Sequence, residues 1–438
     1  MKASYFNVLA PTAEEDKFIL YNTLHRSMAI ITHEEKECLE NPLSSTSAQN
    51  QETINHLTAN RFILEEPETE VAFLEYQYNK YKFNSTVLEL TIAPTMDCNY
   101  KCAYCYETHR AGMMTDPVKD SILRFVEEHY ARKPFKKLKI TWFGGEPLLG
   151  MGVIQDLSRR FIAFCAQNQV LYFAHVITNC SLADKKNAET LAACGVCSVM
   201  PTLDGIGEQH DCRRRARSGE KMFDTIMENI DHLADQGIVV NTSFILDKKN
   251  VADYRELGGQ LRKKENVMVR ATQLRDYHHT FEEAGFDGPQ FDLLTREEYS
   301  RAVFDFFMEQ DPSLADFEKE LEPLRIFCGT PVDQWFVIDE RGNAYKCIGE
   351  IGKDDKVLFN ITVPPEERKV NWELLAAYMN SSPLKDPVCR TCSVLPLCQG
   401  ECAFERSIFQ KNCRSLKYTI QDYLHAYYLK LCENEKAQ

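Results

Sequence analysis

The alternation of apolar and polar positions changes texture near residue 87. Over residues 87–276 short apolar runs alternate with stretches of helical period. "TVLELTIAP", "KLKITWFGGEP", "VLYFAHVITN", "VCSVMPTLDG", "IVVNTSFIL" and "VMVRATQLR" read as strands. Between them "DPVKDSILRFVEEHYARK", "IQDLSRRFIAFCAQN", "LADKKNAETLAAC", "MFDTIMENIDHLADQG" and "VADYRELGGQLRKK" carry apolar residues at helical spacing. Strands separated by helices predict parallel βα units with right-handed crossovers. Six units are two short of a closed eight-stranded barrel. The expected fold is therefore α/β, a partial (β/α)6 TIM-like barrel, with functional groups at the C-terminal ends of its strands.

The flanks read differently. Residues 1–86 hold apolar patches at "SYFNVL", "FILYNTL", "MAIIT" and "NRFILEE" around the polar loop "CLENPLSSTSAQNQETINHL", which predicts a small α+β module. Within it "FILYNTLHRSMAIIT" reads as a hairpin. Residues 277–327 form a bridging region, a loop over "YHHTFEEAGFDGPQFDLL" followed by a helix over "TREEYSRAVFDFFMEQ". Residues 328–438 are cysteine-rich and end on the helical "LKYTIQDYLHAYYLKLCEN".

Composition narrows the chemistry. The net charge of −14 argues against a nucleic-acid or anionic-membrane partner, since either would be repelled. No apolar run approaches the length of a membrane span and the first residues lack a signal-peptide core, so the expected location is cytoplasmic. Seventeen cysteines are then unusual. In a reducing compartment clustered cysteines are more often metal ligands than disulfides, and an odd count cannot pair fully. Cys38, Cys165, Cys180, Cys194, Cys197 and Cys432 sit among helix-like or strand-like neighbours and read as small hydrophobes.

Eleven cysteines remain, and three of them fall in "CNYKCAYC", just past the first strand. Cys98, Cys102 and Cys105 cannot complete a tetrahedral zinc site alone. A 4Fe–4S cluster on three thiolates leaves one iron open to another ligand. This Cx3Cx2C loop, with aromatic Tyr104 before its last cysteine and a partial barrel behind it, resembles the radical S-adenosylmethionine (SAM) superfamily. The resemblance covers residues 87–275. It implies that the open iron chelates SAM through its amino and carboxylate groups, and that reduction releases a 5′-deoxyadenosyl radical. "GGEP" (Gly144, Gly145, Glu146, Pro147) matches the family's turn near the methionine amino group. Thr178 and Asn179 of "ITN", and Thr202 and Asp204 of "TLDG", match positions that touch the cofactor's ribose and methionine parts. Arg214 or Arg215 of "HDCRRRARSG" would reach its carboxylate.

The tail carries Cys328 and Cys347 with Gly342 between them, then Cys389, Cys392, Cys398, Cys402 and Cys413. The pattern Cx13Gx4C…Cx2Cx5Cx3C…C resembles the SPASM extension of peptide-modifying radical enzymes; a zinc ribbon is the rival. The resemblance implies two auxiliary 4Fe–4S clusters, three clusters in all. Cys389, Cys392, Cys398 and Cys413 would hold one, and Cys328, Cys347 and Cys402 the other. No nearby cysteine offers a fourth ligand to the second, so an open iron there could bind a substrate thiol.

SPASM enzymes act mostly on peptides or proteins. Ile348 follows Cys347 where sulfatase maturases place an Asp base, which disfavours that branch. The N-terminal extension is similar in size to winged-helix-like modules that hold leader peptides in maturases of ribosomally made natural products. The implied function is a radical SAM maturase of a leader-bearing precursor peptide, of the sactipeptide or ranthipeptide kind, fed by flavodoxin or ferredoxin. Its leading product is a thioether from cysteine sulfur to Cα or Cβ. The alternatives are a carbon–carbon crosslink, epimerisation, a sulfatase-maturase-like oxidation, a small-molecule radical reaction, or a non-catalytic metal-binding scaffold.

Overall fold

The structure is a computed structural model that describes residues 1–43, 47–262, 264–275, 291–409 and 413–437; most of the loop expected over 277–294 lies outside them. The chain forms two compact units. One contains Met1–Lys82, Thr295–Cys328 and Ser381–Gln438; the other contains Phe83–Leu294 and Gly329–Asn380. The units are discontinuous in sequence, whereas the segments suggested by the apolar pattern follow chain order.

In the first unit, β1 (Lys2–Ala3), β2 (Asn7–Pro11), β3 (Lys17–Asn22), β4 (Met28–Thr32) and β5 (Ile63–Leu64) make two small antiparallel sheets, β1–β5 and β2–β3–β4. The expected hairpin is β3–β4. Its residues alternate between two cores, as a period of two requires. Leu20 and Ile31 pack with Cys38, Ile54, Leu57 and Phe62, whereas Ile19 and Tyr21 pack with Phe317, Leu416, Ile420 and Leu424. Helix His33–Glu40 starts on a capping box: Thr32 accepts from the Glu35 N–H and Glu35 accepts from the Thr32 N–H. The outer edge of β2 is closed by the C-terminal helix Leu416–Ala437. Gln421 Nε2 donates to the Leu9 carbonyl at 2.8 Å, and His425 Nδ1 lies 3.1 Å from that of Pro11.

The second unit holds β6 (Val87–Ile92), β7 (Tyr100–Cys102), β8 (Lys137–Trp142), β9 (Leu171–Thr178), β10 (Val196–Leu203), β11 (Arg214–Ala216), β12 (Val239–Leu246), β13 (Val267–Gln273), β14 (Trp335–Ile338), β15 (Asn343–Tyr345) and β16 (Phe359–Asn360). The main sheet runs β13–β12–β10–β9–β8–β6–β14–β15–β16. The six strands expected from the sequence are β6, β8, β9, β10, β12 and β13, and every neighbouring pair of them is parallel. This is the α/β, partial-barrel arrangement the periodicity implied. It continues past the first strand, because β14 pairs in parallel with β6 and leads into the antiparallel β15 and β16. That extension was not anticipated from the sequence; it is carried by "WFVIDERGNAY", two short runs around a turn where Gly342 adopts φ +82°.

The two sheet faces differ. Leu88, Leu90, Ile92, Leu138, Ile140, Trp142 and Val176 are buried on one. Glu89, Thr141, His175 and Ser198 alternate with them on the other, where His175 Nδ1 lies 2.6 Å from Ser198 Oγ. No described helix is long and apolar enough to cross a membrane.

Candidate active site

The residues after β6 carry the three-cysteine loop, and β7 lies inside it. β7 pairs antiparallel with β11, with Arg214 opposite Cys102, Arg215 opposite Lys101 and Ala216 opposite Tyr100. This short ribbon brings a segment more than 100 residues downstream against the cysteines. Alternation along β11 then separates the two candidate arginines. Arg214 turns inward, its Nη1 donating to the Tyr104 hydroxyl at 2.6 Å and lying 3.6 Å from Asp204 Oδ1. Arg215 is exposed, its Nε donating to the Cys212 carbonyl at 3.1 Å, and does not join the group.

Tyr104 closes the triangle by donating to Asp204 Oδ1 at 2.7 Å. Asp204 follows β10, and its N–H donates to His210 Nδ1 at 3.3 Å. Thr202, two residues earlier, stands in register with Ser243 of β12.

"GGEP" lies against the cysteine loop. A Cβ on Gly144 would stand 2.3 Å from the Thr95 carbonyl oxygen, and one on Gly145 2.3 Å from that of Asp97. Gly144 also has φ +109°, a region that glycine tolerates best. The glycines let this turn pack on residues 93–97. The Glu146 N–H then donates to the Asp97 carbonyl at 2.9 Å, and buried Pro147 starts a 3-10 turn. The fully buried Glu146 carboxylate accepts from Thr178 Oγ1 at 2.7 Å, the Asn179 N–H at 2.8 Å and the Leu148 N–H at 2.9 Å. Asn179 donates on to Asn99 at 2.8 Å, inside the cysteine loop. Cys98, Cys102, Cys105, Tyr104, Glu146, Thr178, Asn179, Asp204 and Arg214 thus form one connected neighbourhood at the C-terminal ends of the strands.

Burial governs its electrostatics. The Cys98 thiol is pushed up to about 12, and burial raises Cys102 and Cys105 as well. Without a cation these thiols would stay protonated; iron held by Cys98, Cys102 and Cys105 would supply the opposing charge, since a coordinating thiol is deprotonated outright. Burial also raises Asp204 and Glu146, against the pull of Arg214 on both and of three hydrogen bonds on Glu146. His210 is lowered to about 3 by burial, with Arg214 adding to the effect.

Among the described residues no three His, Cys, Asp or Glu side chains converge on a single metal-ion position, so the case for a multi-iron cluster here rests on the chemistry of the donors. Three cysteines share one loop, and four buried polar atoms around them lack a protein partner: Asp204 Oδ2, Arg214 Nε, His210 Nε2 and Glu107 Oε2. Buried polar atoms of this kind call for an unseen partner. Glu107 and His210 were not among the expected contacts. Glu107 had only its position two residues past Cys105 to mark it.

The tail cysteines divide by unit. Cys328, Cys389, Cys392, Cys398, Cys402 and Cys413 belong to the first unit, and Cys347, buried after β15, to the second. Burial raises the Cys389 thiol, with Cys398 and Cys392 adding to it; Cys413 likewise adds to the rise at Cys398, and Cys328 to that at Cys402. Between Cys398 and Cys402 three residues in succession adopt positive φ: Gln399 at 50°, Gly400 at 79° and Glu401 at 57°. The Gly400 and Arg414 N–H groups donate to the Cys398 sulfur. Inward-turned N–H groups of this sort form an anion-binding concavity.

The model of the radical SAM superfamily matches residues 92–258. Fe-coproporphyrin III synthase of Methanosarcina barkeri is 25% identical over 239 residues, 54% of this chain and 55% of that protein. The chain spans about half the length of the curated relatives it matches. Among solved structures, anSMEcpe with bound AdoMet and the Cp18Cys peptide aligns at TM-score 0.58 and 20% identity, over 79% of this chain and 98% of that one. Streptococcus suis SuiB bound to precursor peptide SuiA aligns at TM-score 0.50 and 14% identity, over 94% and 97%. The three-cysteine loop, the parallel sheet behind it and the matched family model agree: residues 92–258 are a radical SAM domain.

Proposed function

We propose that this chain is a radical SAM maturase that crosslinks a ribosomally made precursor peptide, joining a cysteine sulfur to a backbone or side-chain carbon. The observation that carries the reading is the pairing of the Cys98/Cys102/Cys105 loop with a second group of cysteines in the tail. Likeness to the peptide-bound structures of SuiB and anSMEcpe supports a peptide substrate.

Bound at the first site, a 4Fe–4S cluster and SAM supply reductive cleavage to a hydrogen-abstracting radical. The protein's part is placement. Tyr104, Asp204 and Arg214 form a fixed polar wall, and their hydrogen bonds leave Asp204 Oδ2 and Arg214 Nε to meet a ligand. Glu146 holds Thr178 and Asn179 against the cysteine loop, so the cofactor groups assigned to "ITN" would meet preset donors and acceptors. Burial of this wall excludes water from a reactive species. In the tail, Cys389, Cys392, Cys398 and Cys413 would hold a second cluster that passes electrons.

A leader would add as a strand at β4. Among the described residues that strand pairs with β3 alone, whereas Gln421 and His425 already occupy β2 on the opposite side.

The test is Cys102→Ala in the anaerobically reconstituted chain. It is expected to abolish 5′-deoxyadenosine formation while the tail keeps its iron; wild-type turnover in this variant would remove the assignment. For the product, a cysteine-containing precursor should lose the equivalent of molecular hydrogen in mass and resist thiol alkylation. Turnover of a small molecule with no peptide requirement would instead favour a reaction of the kind Fe-coproporphyrin III synthase is named for.

A further inference from the structure

Among the described residues, the four cysteines Cys389, Cys392, Cys398 and Cys413 sit beside two cations that have no carboxylate partner. Lys417, in the first turn of the helix Leu416–Ala437, donates from Nζ to Cys413 Sγ at 3.6 Å. Arg406 acts electrostatically on Cys389, and its Nε is buried with no hydrogen-bond partner. Two neighbouring arginines do have carboxylate partners, although Arg296 also donates from Nε to the Cys413 carbonyl at 2.7 Å. Arg296 pairs with Glu401 at 3.3 Å, and Arg414 with Glu320 at 3.7 Å. The same helix directs its N-terminus toward Cys413, three residues ahead of Leu416, and adds positive potential there. Lys417 and Cys392 both line one open cleft of about 1300 Å³, bounded by β2 and the helices Arg296–Glu309 and Leu416–Ala437.

We propose that Lys417 is the charge partner of the four-cysteine cluster and sets its reduction potential. The inference rests on reading the tail as iron–sulfur binding. A cluster on four thiolates is an anion that gains a further negative charge when it takes up one electron. A nearby ammonium favours the reduced state, and hydrogen bonds to cluster sulfurs raise the potential in the same direction. In a chain of net charge −14 the background field opposes that electron, so a local cation makes its uptake easier.

The test is an anaerobic redox titration, followed by electron paramagnetic resonance, of the full reconstituted chain and its Lys417→Met and Lys417→Arg variants. Lys417→Met is expected to move one cluster midpoint to more negative potential, leaving the others and the iron content unchanged. Lys417→Arg should stay near wild type, because it keeps the charge. Midpoints unchanged in Lys417→Met would overturn the proposal. So would an equal shift in Lys417→Arg, or loss of tail iron in both variants. A wild-type tail that holds zinc, or no metal, would overturn the iron–sulfur reading itself, a result visible in metal analysis before any potential is measured.

Discussion

His210 shows how a single side chain can report on the site through acid stability. It is fully buried, accepts the Asp204 N–H and is held neutral, with its pKa lowered to about 3. Above about pH 6.5 it is neutral both folded and unfolded and costs nothing. As pH falls below that value the unfolded chain takes up a proton that the folded chain refuses, so stability falls until about pH 3. The loss from this residue amounts to roughly 5 kcal/mol. Urea unfolding of His210→Asn between pH 7 and pH 4 should therefore show a shallower decline than wild type; parallel curves would remove the attribution. Gly145 makes a different demand. Its missing side chain lets the turn sit on Asp97, so Gly145→Ala should lose about 3 kcal/mol, read as a lowered melting temperature. Both residues stand inside quoted motifs read as cofactor contacts; the structure adds that Gly144 and Gly145 sit against residues 93–97, just ahead of Cys98. Sequence marks that a glycine matters; only packing identifies what approaches it.

At the scale of elements, parallel strands were legible because each is an apolar run, and three of them end at a Gly- or Asn-containing turn, "GGEP", "ITN" and "TLDG". The β7–β11 ribbon and β14 were not legible. Each is only three or four residues long, and its partner lies far off in sequence, so no local period marks it. Arg110 belongs to the same class. Five residues past Cys105, its guanidinium pairs with Asp339 and Glu340 at 2.6 Å each and reaches the Gly352 carbonyl at 3.4 Å. It thereby ties the end of the cysteine loop to both sides of the segment that carries Cys347. Asp339 and Glu340 are almost fully buried, so Arg110→Met would strand two carboxylates and should cost about 3–5 kcal/mol. Denaturant unfolding measures that loss. A change under about 1 kcal/mol, as for a surface pair, would show that the clamp is dispensable.

For the whole molecule, the first compact unit is assembled from both ends of the described chain. Val8, Ala10, Ile19 and Tyr21 are buried against Phe317, Leu416, Ile420 and Leu424, contacts that no reading in chain order anticipates. Residues 1–86 expressed alone should therefore expose one face of β2 and β3 and aggregate, whereas co-expression with residues 295–438 should restore some solubility. A monomeric, sharply melting 1–86 fragment would contradict this. The same arrangement has a consequence for biosynthesis. At about 5–20 residues per second, β2 and β3 leave the ribosome roughly 20–80 s before the helix that covers them. During that interval their apolar face needs a chaperone or transient self-burial, and the tail cysteines have not yet been made. Under the proposed iron–sulfur reading of the tail, loading at Cys389, Cys392, Cys398 and Cys413 would then be a late event, confined to chains whose N-terminal strands have survived the wait.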